Sequence, residues 1–289
     1  MKQKKVVTTK HSRGNAWNRR LDVKIYLKQR VTIAGLIVVA VIGLSGCEDI
    51  FRTNMFERFV PEADVSAMLE ADDAVERIAD AIESPRFIQG LIDDPEEKEK
   101  VVEKLTDTYN SPDASPEEKK LASLTHATIE LETTLAGEVV DSFARAMMDA
   151  EEPDDDADPL QEVLKIFPDS ATEDLDTFTE TIKALKAASS AYTVYGSTIE
   201  DGEDVDGGHA QSALVAYIAD SVFETDDDIG AFFKYYIAEE EGAEKPALST
   251  GFFDDLEDEN TEDPAAQSVR KMLEGSGLGF LLGSPDDEA

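Results

Sequence analysis

Short strings that begin with Asp-Pro or Ser-Pro and continue into acids recur along the chain, and they limit its fold more than any other feature. Asp94-Pro95-Glu96-Glu97 puts a side-chain acceptor at an N-cap, proline at the first helical position and acids in the first turn. Ser115-Pro116-Glu117-Glu118 repeats this, and Asp158-Pro159-Leu160-Gln161 carries it with glutamine. Proline is tolerated there because the missing N–H has no helical partner, and the acids lie at the positive end of the helix dipole. Ser84-Pro85 and Asp263-Pro264 are looser versions, and Ser170-Ala171-Thr172-Glu173 is a capping box without proline. Alternating apolar patterns of useful length are absent. The expectation is an all-α chain, a multi-helix array or bundle of about 8–10 helices, with a solenoid-like arrangement as one form of it.

Periodicity agrees. Leu175, Phe178, Ile182, Leu185, Ala188, Tyr192 and Tyr195 step by three or four along one stripe. The segment after Pro116 carries two stripes. Leu124, Leu131, Leu135, Val139 and Met147 form one, and Ala122, Ile129, Ala136 and Phe143 form the other. A helix apolar on two sides is held between neighbours, so this segment reads as a central element. Further helices are expected over about 62–82, 86–92, 95–109, 160–166, 208–223, 228–239 and 264–274.

The formal charge of −37 hides a division at Cys47. Residues 1–46 hold 10 basic residues and 1 acidic, so the remainder holds 27 − 10 = 17 basic and 64 − 1 = 63 acidic, a net of −46. So negative a body repels nucleic acid and anionic headgroups. The acids gather in runs at 151–158, 200–206, 224–228, 239–241 and 254–263. These read as a solvated surface rather than as cation sites. Placed on an EF-hand template, the run before Gly207 offers Asp204 and Asp206 but has Gly202 first and Ala213 twelfth. The run from Asp154 has Pro159 for the glycine and Lys165 for the glutamate. No metal and no cofactor is expected.

Ahead of Cys47, Lys24, Lys28 and Arg30 precede an apolar run of 14 residues, Val31 to Leu44. At about 1.5 Å per helical residue it covers roughly 21 Å, short of the roughly 30 Å hydrocarbon core of a bilayer. Leu44-Ser45-Gly46-Cys47 follows, with the chain's sole cysteine. The string resembles a bacterial lipobox, the cleavage site of lipoprotein precursors. The resemblance implies removal of residues 1–46 as an export signal with an over-long N-terminus, the true start being near Val23 or Leu27. It also implies lipid, palmitate included, on Cys47. That makes the bilayer a partner and places the body in the cell envelope. Glu48, standing where an inner-membrane retention signal would have Asp, favours the periplasmic face of the outer membrane. Residues 47–60 are then a tether, 61–283 an acidic helical domain with a candidate seam at 151–158, and 284–289 an acidic tail. Ala219-x-x-x-Phe223 and Gly207 faintly resemble a tetratricopeptide-like helical repeat, over one helix pair, without the 34-residue period.

No catalytic residue is expected. His126 lies on the Ala122/Ile129 stripe and reads as a hydrogen-bonded core histidine. His209 follows Gly207-Gly208 among carboxylates that should raise its pKa. Gly275-Ser276-Gly277-Leu278-Gly279 follows a helix and so reads as a helix stop whose apolar tip docks, not as a phosphate loop. Phe232, Phe233, Tyr235 and Tyr236, with Tyr217 and Tyr192, read as core before they read as a ligand groove. The leading function is a helical protein-binding adaptor or envelope-assembly component without enzyme activity, binding a protein partner and no nucleic acid. The alternatives are a solute-binding accessory subunit of a transporter, or a hydrolase with an unrecognised carboxylate site.

Overall fold

The computed structural model describes residues 65–149, 159–200, 202–249, 252–258 and 260–282. Cys47, the tether, the seam at 151–158 and the acidic tail lie outside the described residues. Among the described residues all regular structure is helical, so the chain is an all-α multi-helix array. In order the helices are α1 (Val65–Leu69), α2 (Ala74–Ala81), α3 (Pro85–Asp93), α4 (Pro95–Asn110), α5 (Pro116–Glu132), α6 (Ala136–Asp149) and α7 (Pro159–Leu164). There follow α8 (Leu175–Thr198), α9 (Gly207–Val222), α10 (Asp226–Phe232), α11 (Phe252–Glu257) and α12 (Pro264–Gly275).

The expected starts are built as their chemistry dictates. Asp94 accepts from the amides of Glu96 and Glu97, Ser115 and Glu118 close a reciprocal capping box, and Asp263 accepts from Ala265 N. Ser84 stands at the N-cap of α3 without a side-chain bond. The box at Ser170 is not formed. Asp169–Ala171 is a 3₁₀ turn, and α8 starts four residues later, where the Asp174 side chain accepts from Thr177 N at 2.8 Å. A few of the connector acids are thereby used: Asp94, Asp174, Asp206 and Asp263 satisfy backbone amides that a helix start leaves without partners.

Two expected helices are broken. The segment 62–82 is interrupted at residues 70–73, where Asp73 takes the N-cap position of α2 and pairs with Arg77. The segment after Pro116 stops at Glu132. Thr133 and Thr134 turn their hydroxyls onto the carbonyls of Ile129 and Glu130, at 2.6 and 2.7 Å, and Ala136 N then donates to the Thr134 hydroxyl. Two successive hydroxyls thus bond carbonyls at the helix end, the first beside the backbone bond from Thr133 N to Ile129 O at 3.0 Å. Ala122 and Ile129 therefore face one cluster, whereas Ala136 and Phe143, beyond the break, pack into another. The α10 region is also irregular: Phe233–Ile237 is a π-helical turn, closed by Ala238 N on Phe233 O at 2.8 Å. Periodicity gave no sign of α11.

The longest helix, α8, is the centre. Its expected stripe is buried from Phe178 to Tyr195, but Thr181, Ala184, Ser189, Ala191 and Gly196 are buried too. It packs against α5, α6, α9, α10 and α12. A helix enclosed on several sides cannot be amphipathic, and small residues let its neighbours approach. At Gly196 an added Cβ would lie 2.5 Å from Ser268 Cβ, and Ser268 Oγ donates to Thr193 O at 2.8 Å, so α8 and α12 meet almost backbone to backbone. After α12, Gly277 (φ +75°) ends the helix. Leu278 N bonds Leu273 O at 2.8 Å, Gly277 N bonds Glu274 O at 3.2 Å, and buried Leu282 docks the tip as expected.

Candidate functional site

Among the described residues a concavity lies where the chain leaves α8 and runs back past the end of α12. The helix ends at Ile199, whose extended backbone turns the chain outward, and Gly202 (φ +80°) supplies the reversal. Val205 N then bonds Gly275 O at 3.1 Å. Gly275 is required at that approach, because a Cβ there would stand 2.7 Å from Glu203 O and 2.8 Å from Val205 Cγ2. Between the two strands of chain is a cleft of 370 Å³ lined by Ile199, Glu200, Gly202, Glu203, Asp204, Lys271, Glu274 and Gly275. Four carboxylates and one ammonium line it, and Glu274 is already paired with Arg270 at 3.0 Å. The remaining carboxylates favour cationic groups over anions. Glu203 is partly committed: its carboxylate accepts from Glu200 N at 3.1 Å and forms an ion pair with Lys120 of α5, whose ammonium also lies 5.7 Å from the centre of the Tyr195 ring.

Among the described residues no three His, Cys, Asp or Glu side chains come together in a metal-binding arrangement. The EF-hand mismatch at Gly207 has a physical counterpart. Asp206 is not a loop ligand but the N-cap of α9, accepting from Gly208 N and His209 N at 2.9 and 3.1 Å. His209 corrects the expectation made for it. Burial lowers its pKa below 6.5, and the opposing effect of Asp206, whose carboxylate is 3.9 Å away, is the smaller. Six aromatics were candidates for a groove. None lines the cleft; Phe232, Tyr236, Tyr217 and Tyr192 are buried in the larger core, Phe233 and Tyr235 are half-buried against it, and Phe232 and Phe233 meet the Phe178 ring.

His126 is a core histidine, as its stripe implies, but it belongs to a chain of polar groups that the sequence did not disclose. It is buried between α4 and α5, its Nδ1 lying 3.1 Å from the Tyr109 hydroxyl, with the two rings stacked at 5.9 Å. Its Nε2 is 3.5 Å from Glu130 Oε1, within ion-pair range but outside hydrogen-bond geometry. The other carboxylate oxygen of Glu130 accepts from Lys98 Nζ at 2.8 Å. The arrangement that best serves these groups has Tyr109 donating to Nδ1 and the imidazole proton on Nε2, facing the carboxylate.

Burial by itself would raise the Glu130 carboxyl. The His126 contact and the Lys98 ammonium together outweigh it and hold Glu130 below its ordinary 4.5. A carboxyl lowered in the folded state stabilises fully above its unfolded value, and that contribution disappears as the pH falls through the folded value. The unfolding free energies of the wild type and Glu130→Gln should therefore differ by a constant amount above about pH 5 and converge as the pH drops below 4.5. Paired urea titrations across pH 3–7 (roughly the carboxylate range) read this directly. The comparison cancels the repulsion that the remaining acids contribute equally to both proteins. A gap that widens toward acid would mean that Glu130 is not held as an anion.

No protein-family model, no curated protein and no solved structure matches the chain.

Proposed function

We propose that the chain is a membrane-anchored bacterial lipoprotein whose helical body serves as a protein-binding adaptor or envelope-assembly component, not as an enzyme. The observation that carries this reading is Leu44-Ser45-Gly46-Cys47, with the sole cysteine at the end of a 14-residue apolar run. Lipid on that cysteine holds the protein to a bilayer, since two or more acyl chains anchor stably where one does not. Two features of the body support it. No helix among the described residues is long and apolar enough to cross a membrane. The surface is strongly anionic and carries a carboxylate-lined cleft beside α12, which suits a basic protein partner better than nucleic acid or an acidic lipid surface. The body then stands off an anionic bilayer while the lipid keeps it there. Glu48 after the cysteine favours the periplasmic face of the outer membrane.

The test compares the wild type with Cys47→Ser in the source bacterium. The wild type should fractionate with membranes and incorporate labelled palmitate, whereas the variant should move almost entirely to the soluble or precursor fraction without label. Cross-linking followed by pull-down of the membrane-bound form should retain a basic protein whose capture weakens as salt rises. An unlabelled Cys47 would refute the anchor. Failure of both forms to retain a protein would refute the adaptor.

A further inference from the structure

The apolar interior is in two parts that share no buried residue. The smaller holds ten buried side chains, from Val65 to Tyr109 in α1–α4 together with Ala122 and Ile129 of α5. The larger holds the buried side chains of the remaining helices, and α5 faces both. Val194 of α8 reaches the smaller part only at its margin. Polar contacts from α4 meet α5 at two residues one turn apart, Tyr109 on His126 and Lys98 on Glu130. The lobe α1–α4 is thus seated on one exposed side of a helix whose other side is secured by α8. Losing the lobe would leave the larger interior intact. A structure divided in this way opens in parts, each with its own opening free energy.

We propose that α1–α4 opens and closes as one cooperative unit on α5 while the rest of the body stays folded, and that the Lys98–Glu130 pair holds it shut. Its place in the chain gives the motion a use, on the reading of Cys47 as the membrane anchor. The lobe lies between that anchor and the body. Val65 to Asn110 spans 46 residues, and released as extended chain it adds at most roughly 150 Å to the tether. Shut, the body is held near the bilayer; open, it reaches farther for a partner, and the Ala122/Ile129 face of α5 is bared.

Hydrogen exchange followed by mass spectrometry on the full chain in detergent micelles tests this, with Glu130→Gln and, from the lobe side, Lys98→Met as variants. Amides of α2, α3 and α4 should exchange at a common rate at least about tenfold faster than the slowest amides of α8 and α9. Either variant should speed the first set by a further factor of about ten, and Phe178→Ala, confined to the larger interior, should speed the second set and leave the first unchanged. Exchange of both sets at one rate, or equal acceleration of both by Phe178→Ala, would show a single folding unit and overturn the proposal. Unchanged exchange in α2–α4 when Glu130 or Lys98 is replaced would overturn the role of the ion pair. Intact mass of the wild-type sample reports lipid on Cys47 separately. Its absence would remove the anchor and the longer reach, while two separate rates would still establish the opening unit.

Discussion

Phe178→Ala is expected to lower the unfolding free energy by about 4 kcal/mol. The ring is fully buried in α8 and has four aromatic neighbours: Phe167 at 5.1 Å, Phe232 and Phe233 at 5.8 Å, and Phe223 at 5.9 Å between ring centres. These come from the connection after α7, from the end of α9 and from the junction of α10 with the π turn, so no one helix can relax to fill the space. Deleting a buried aromatic removes its transfer energy and leaves a cavity whose lining loses contacts outright. Edge-to-face and stacked pairs add about 1 kcal/mol each beyond area. For a body of this size the midpoint should fall by roughly 12 °C. Tyr235→Ala is the contrast. That half-buried ring meets Tyr236 edge to face at 4.8 Å, and its loss should cost about 1 kcal/mol. Urea unfolding followed by circular dichroism measures both. Equal losses at the two positions would mean that the packing centre is not at Phe178.

The same cluster shows how the sequence can specify an interior without disclosing its shape. The stripe from Phe178 to Tyr195 was legible because one face of α8 repeats at helical spacing, and Phe232, Tyr236 and Tyr217 were legible as core because aromatics at that spacing seldom line anything else. What could not be read was that α8 is enclosed on further sides. Alanine, serine, threonine and glycine at positions 181, 184, 189, 191 and 196 carry no apolar signature, yet all are buried. Helix starts were legible at Pro85, Pro95, Pro116, Pro159 and Pro264, since proline at N1 has few other uses, although Ser84 makes no side-chain cap bond. Breaks were not. Thr133 and Thr134 end α5 through bonds to carbonyls one turn back, and threonine sits in many helices without ending them.

The polar groups divide along the same line. His126 was placed correctly in the core from its stripe, whereas its partners Tyr109 and Glu130 and the remote Lys98 come together only through the pairing of α4 with α5. The pKa of His209 was misjudged because carboxylates are visible in a sequence and burial is not. The cleft at the end of α12 depends on Gly202 and Gly275, whose roles are set by a turn and by a close approach of distant chain. Of the proposed function, the string proposed as an anchor is wholly local in the sequence. A docking surface is a property of the assembled helices and is not.

Gly196→Ala puts intrinsic preference and packing in direct opposition. Alanine is favoured over glycine inside a helix by about 1 kcal/mol, so propensity alone predicts a gain. The structure predicts a loss. The new Cβ would stand 2.5 Å from Ser268 Cβ, 2.7 Å from Ser268 Cα and 2.8 Å from Ser268 O. Two of these atoms are backbone and cannot turn aside, so α12 must shift away from α8. Such a shift also strains the bond from Ser268 Oγ to Thr193 O and loosens Met272 and Val269, both buried beside it. Overpacking at a helix contact costs about 3 kcal/mol, which leaves a net loss of about 2 kcal/mol. Gly90→Ala in α3 isolates the propensity term. Nothing lies within 4 Å of a Cβ built there, and that variant should gain a few tenths to about 1 kcal/mol. Ser268→Gly in the Gly196→Ala background removes the nearest clash but not the backbone contacts, so it should restore only part of the loss. Opposite signs for the two alanine variants would establish that α8 and α12 are in contact at Gly196. A gain at both positions would mean that the helices stand farther apart than the close approach of residues 196 and 268 requires.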